Sequence, residues 1–117
     1  MPYTLNFTEE GRADVVALPK ATRNWLRKEL RAVEADPYKC SSRLREPLEQ
    51  YRSFHCGKYR VLYMVFDDLQ AVSIVAVGKH DSRPAADVYK KLENLVKQGK
   101  QAEKLMIAVR MFADKPR

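Results

Sequence analysis

A chain of 117 residues can enclose one modest core, and a single sheet with two or three helices nearly exhausts it, so one domain is expected and no second is needed. Its 22 lysines and arginines against 15 aspartates and glutamates leave a formal charge of +7, which favours a polyanionic partner such as RNA, DNA or an acidic protein segment. Cys40 and Cys56 lack CxxC spacing and a cluster of histidines or carboxylates, which argues against a zinc site and a disulfide framework. The start, MPYTLNFTEE, has no basic n-region ahead of an apolar stretch, and no window approaches the ~18 apolar residues of a membrane span. A soluble, cytoplasmic protein with no membrane partner is expected.

Tyr3, Leu5 and Phe7 alternate with Thr4 and Asn6, which predicts a short strand with one buried face. Thr8 suits the N-cap of a short helix whose first turn places Glu9 and Glu10 where the helix dipole favours acids, and Gly11 weakens that helix. Pro19 and Pro37 bracket a second helix over residues 20–35, with Trp25, Leu26, Leu30 and Val33 as its apolar stripe. Arg23, Arg27, Lys28 and Arg31 cover the rest of its surface. Residues 38–50 have no clean period and read as a connection anchored by Leu44 and Leu48.

Gly57-Lys58 lies between two segments rich in β-branched and aromatic residues, and a glycine first in a two-residue connection suits a type II′ hairpin. Closing the hairpin there sets Cys56 opposite Tyr59, His55 opposite Arg60, Phe54 opposite Val61 and Ser53 opposite Leu62. Phe54, Cys56, Tyr59, Val61, Tyr63 and Val65 then share an apolar face, while Ser53, His55 and Arg60 share the other. After an acidic turn at Asp67-Asp68, residues 70–77 are apolar on both faces and read as an interior strand that exits through Gly78, Lys79 and His80.

From Val88 onward, Leu92, Leu95, Gly99, Ala102, Met106, Val109 and Ala113 recur at spacings of four and three, the seam of a helix that packs lengthwise. Gly99 costs ~1 kcal/mol of helix propensity, so residues 86–113 form either one long helical segment or two helices. The seam outruns a small sheet, and self-association through it is an expected use of the surplus apolar surface.

The order of these pieces resembles the RelE/ParE superfamily of type II toxins, most closely its RelE branch. The resemblance spans roughly residues 3–92, and its specific part is GKYRVLY, an acidic turn, AVGKHD, and a tyrosine in the following DVY. It implies an α+β fold in which a small, antiparallel-rich twisted sheet is built from an N-terminal strand and a three-stranded meander. Two N-terminal helices would pack on one face, followed by a C-terminal helix. It further implies one toxin domain over residues 1–117 that cleaves mRNA in the ribosomal A site and is silenced by a cognate antitoxin, expected to be acidic. Arg60 takes the place of the family's arginine that stabilises charge on the phosphate, His80 its basic position after the next strand, and Tyr89 its later tyrosine. This chain departs from the pattern where Tyr51, Ser53 and His55 replace frequent lysines or arginines, where His80 stands for an arginine, and where SRPAA lengthens the approach to Tyr89.

Attack of a ribose 2′-hydroxyl on the adjacent phosphate needs a base, positive charge on the phosphorane and an acid for the leaving oxygen. His55, His80 and Arg60 could supply all three without a metal or cofactor, since imidazole titrates near pH 6.5. Their sequence leaves open which histidine is acid and which is base. Tyr89 could stack on a base, and Lys79, Arg83, Lys58 and Arg52 could hold phosphates. Two other functions compete with this one: a ParE-like inhibitor of DNA gyrase, which needs no acid–base pair, and an inactive module that keeps only its antitoxin affinity.

Overall fold

The computed structural model describes residues 2–98. Its elements are β1 (Thr4–Phe7), α1 (Glu9–Val16), α2 (Lys20–Glu29), α3 (Arg31–Ala35), β2 (Ser41–Arg43), β3 (Arg52–Cys56), β4 (Tyr59–Phe66), β5 (Ala71–Lys79) and α4 (Val88–Lys97). The strands form one five-stranded sheet in the order β1-β5-β4-β3-β2, with β1 parallel to β5 and the other pairs antiparallel.

The β3–β4 hairpin has the expected register, Cys56 opposite Tyr59 and His55 opposite Arg60. Gly57 takes φ 59° while Lys58 keeps a negative φ, the type II′ combination. Alternation then divides the apolar residues between two cores. Phe54, Val61, Tyr63 and Ile74 pack under Leu26, Leu30 and Val33 on one face. Leu62, Val75 and Ala76 meet Tyr51, Leu48, Val88 and Leu92 on the other. Leu44 and Leu48 do anchor their connection against this second core, as the sequence suggests.

Four local features depart from the sequence reading or add to it. Residues 41–43 are not only connection: they add β2, a polar edge strand whose SSR carries no alternating apolar signal. The 20–35 helix is interrupted at Leu30, whose ψ of −11° falls short of the helical value near −42°. In β5, Tyr63 pairs with Ile74 and Leu62 with Ala76, so Val75 is an extra residue, a bulge that keeps both Val75 and Ala76 on the α4 side. Gly11 is required by packing: a Cβ there would lie 2.4 Å from the Ile74 carbonyl oxygen.

That close approach lets α1 cover the edge of β5 where β1 ends. Ile74 O accepts from the Thr8 N–H at 3.0 Å and from the Thr8 hydroxyl at 3.3 Å, and the Val77 N–H donates to Asp14 at 2.9 Å. Thr8 also caps α1, accepting from the Gly11 N–H. Lys91 on α4 pairs with the same Asp14 carboxylate, which ties α4 to α1 around the strand edge. The helical segment expected over 86–113 is a helix from Val88 to Lys97; its remainder, with the Gly99 question and the self-association seam, lies outside the described residues.

Candidate functional site

Three adjacent strands end together at the Gly57 turn. His55 on β3 faces Arg60 on β4, and Arg60 faces Gly78 on β5, so one row crosses the sheet on the α4 side. Gly78 leaves space in that row: a Cβ there would sit 3.2 Å from Val88 Cβ at the start of α4. His80 follows two residues later and rests against Tyr89, ring centroids 5.0 Å apart and planes at 84°. The Tyr89 hydroxyl reaches back across the sheet to the Ser53 hydroxyl at 2.8 Å. The structure therefore gathers His55, Arg60, His80 and Tyr89 on one patch, and SRPAA forms a loop that delivers Tyr89 to it.

Arg60 is held by main-chain acceptors. Its Nη1 donates to Gly57 O at 2.9 Å and Tyr59 O at 3.0 Å, and it forms no ion pair among the described residues. Its full charge thus remains available to an anion. His55 is exposed, and partial desolvation, then the Arg60 charge and the His80 charge, lower its pKa from 6.5. The neutral ring, able to accept a proton, is favoured.

His80 donates from Nδ1 to Asp87 Oδ1 at 2.8 Å. Asp87 is the N-cap of α4: its Oδ2 accepts from the Lys90 N–H at 3.1 Å, while Oδ1 also accepts from the Asp81 N–H at 3.0 Å. Burial pushes the Asp87 carboxyl up, but these hydrogen bonds, Asp81 N–H first and then His80 and Lys90 N–H, outweigh it and hold the group below the usual carboxylate range. Sequence reasoning missed Asp87, although an aspartate at the first residue before a helical pattern is a readable cap signal.

The four residues expected to bind phosphate are dispersed. Lys58 is exposed at the hairpin tip. Lys79 lies toward the α2 face, its Nζ 5.7 Å from the Tyr59 ring centroid, and the Tyr59 ring in turn meets Trp25 of α2 at a tilt. Arg83 forms a two-pronged pair with Asp81, at 3.1 and 3.0 Å, whose hydrogen bonds hold the Asp81 carboxyl at about 2. Arg52 sits at the far end of β3 and is occupied structurally, with Nε on Ser41 Oγ at 2.7 Å and the guanidinium 5.2 Å above the Tyr38 ring. Among the described residues no group of three or more histidines, cysteines or acids could hold a metal ion, and no helix is long and apolar enough to cross a membrane.

A mixed five-stranded sheet with helices packed against it is the fold of a class of small α+β toxins with several solved examples. The chain is similar to the toxin–antitoxin complex RelBE2 of Mycobacterium tuberculosis, at TM-score 0.63 and 30% identity over 68% of this chain and 99% of that one. It is also similar to an Escherichia coli RelE double arginine-to-alanine variant bound to an antitoxin RelB peptide, at TM-score 0.58 and 27% identity over 70% of this chain and 87% of that one. A curated RelE-like toxin protein of Escherichia coli is 30% identical over 90 residues, 76% of this chain and 92% of its own length. The family model described as the ParE toxin of the type II toxin–antitoxin system parDE matches residues 5–84. The chain belongs to the RelE/ParE superfamily of type II toxin–antitoxin toxins.

Proposed function

We propose that residues 1–117 form one toxin domain that cleaves mRNA on the ribosome by 2′-hydroxyl attack on the adjacent phosphate. The observation that carries this reading is the single patch holding His55, Arg60, His80 and Tyr89, with the Arg60 charge uncompensated. His55, whose charged form is disfavoured beside Arg60, suits the base that takes the 2′-hydroxyl proton. As the 2′-oxygen bonds to phosphorus, Arg60 stabilises the added negative charge. The bond from phosphorus to the 5′-oxygen then breaks, and that oxygen takes a proton from His80 Nε2. The products are a 2′,3′-cyclic phosphate and a 5′-hydroxyl. Tyr89, its hydroxyl tied to Ser53, offers a ring face to a splayed base.

The partner that silences the toxin is a cognate antitoxin with an acidic, amphipathic segment. A groove between α1 and α2 suits such a segment, because Phe7, Val15 and Val16 line its apolar floor and Arg12, Arg23 and Arg27 ring it. Phe7 is 37% and Val16 62% exposed there. The ParE description of the matching family model favours a second reading, inhibition of DNA gyrase without RNA chemistry.

One experiment separates the two. Purified protein is added to a translation reaction programmed with a defined transcript, and in parallel to a gyrase supercoiling assay. New 3′ ends carrying 2′,3′-cyclic phosphate, absent with Arg60→Ala, are expected. An intact transcript with blocked supercoiling would transfer the assignment to gyrase.

A further inference from the structure

Of all the polar side chains near the patch, Asp87 is used most heavily and the reaction scheme gives it no part. Its carboxylate, only 12% exposed, takes three donors: the Lys90 and Asp81 N–H groups and His80 Nδ1. The ring it holds makes no other hydrogen bond among the described residues, with the His80 side chain 62% exposed and in T-shaped contact with Tyr89. His80 Nε2 makes no hydrogen bond among the described residues.

We infer that Asp87 is a positioning residue that fixes the tautomer and orientation of His80, so that Nε2 alone exchanges protons with substrate. An ionised carboxylate only accepts hydrogen bonds, so the ring nitrogen facing it must carry its proton whether the imidazole is neutral or charged. The proton on Nδ1 stays in place, and Nε2 becomes the one site that gives a proton to the leaving oxygen. Tyr89 blocks one side of the ring and limits its rotation about χ2. The main-chain N–H groups of Asp81 and Lys90 in turn lock Asp87, so the ring is seated by the start of α4 and by the 81–87 loop together. A buried carboxylate orienting a catalytic imidazole from its far nitrogen is a known solution to this problem in other enzymes.

The inference rests on the ribonuclease reading for its catalytic consequence, and its structural core can be tested without activity. Asp87→Ser keeps an N-cap of similar quality but has no second oxygen for His80. Nitrogen-15 NMR of the imidazoles, with His80→Gln used to assign the signals, reports where the proton sits in the neutral ring. The Nδ1–H form is expected to dominate in the wild type and to give way to the Nε2–H form of free imidazole in Asp87→Ser. RNA cleavage is expected to fall at least tenfold in Asp87→Ser. The double variant Asp87→Ser/His80→Gln should be no slower than His80→Gln alone, because Asp87 acts through His80. Additive losses would show a merely structural role and overturn the inference, as would an Nε2–H form already dominant in the wild type. If the wild type cleaves no RNA, the ribonuclease reading falls while the nitrogen signals still decide the orientation.

Discussion

The two ends of the β3–β4 hairpin both carry polar clusters on an otherwise apolar sheet, and they differ in how much bonding capacity is left over. At the Asp67 end, Asp67 accepts from the Tyr3 hydroxyl at 2.9 Å and the Tyr38 hydroxyl at 2.6 Å. Burial and this bond push the Tyr38 hydroxyl up to about 12, so it stays a donor. Arg52 spends its guanidinium on Ser41 and on the Ser41 and Tyr38 carbonyls, and buried Tyr63 donates to Pro37 O at 2.5 Å. Such closed networks staple β1, β2 and the loop after α3 to the hairpin. At the Gly57 end, Arg60 has only main-chain acceptors, His55 makes no side-chain hydrogen bond among the described residues, and His80 keeps Nε2 free. Unspent donors and acceptors at one end, against satisfied ones at the other, are what separate a site from a scaffold.

The comparison can be broken at either end. The largest effect is expected from His55→Gln, which should slow RNA cleavage by ~10²–10⁴ through loss of the base. The wild-type rate should rise with pH through a midpoint below the ordinary imidazole value of 6.5, because the proposed base His55 can accept a proton only when neutral and its pKa is lowered. That rise should vanish in the variant, which a pH–rate profile would show directly. At the opposite end, Tyr63→Phe should leave the rate unchanged and cost about 1 kcal/mol, since one buried hydrogen bond is lost while the Pro37 carbonyl keeps the Ser41 hydroxyl as a donor. Urea unfolding measures it. A loss of cleavage in Tyr63→Phe at full stability would mean that the two clusters are one functional network.

Much of this division was legible in the residues. The hairpin register followed from Gly57 and from strict alternation, and with it came the juxtaposition of His55 and Arg60. The placement of β5 inside the sheet followed from its lack of a polar face. The bulge at Val75 did not, because a run that is apolar on both faces carries no marker of where alternation slips. Gly11 looked like a local weakness because its reason, the Ile74 carbonyl, is 63 residues away in the chain. Arg52 and Lys79 were grouped with the site by charge and proximity, and the partners that draw them away, Tyr38 and Tyr59, are tertiary. Asp87 shows the opposite case: its capping role is local and readable, whereas its hold on His80 needs the loop geometry.

The most direct test sets Arg60→Ala beside Arg52→Ala, measuring single-turnover RNA cleavage and urea unfolding on both. Arg60→Ala should lose ~10²–10³ in rate, the effect of removing one charge-stabilising donor, with an unfolding free energy close to the wild type. Arg52→Ala should cleave normally and unfold more easily by about 1–3 kcal/mol, because it breaks three hydrogen bonds of the scaffold. Wild-type cleavage by Arg60→Ala, or lost cleavage in a fully stable Arg52→Ala, would contradict the assignment of the chemistry to the Gly57 end.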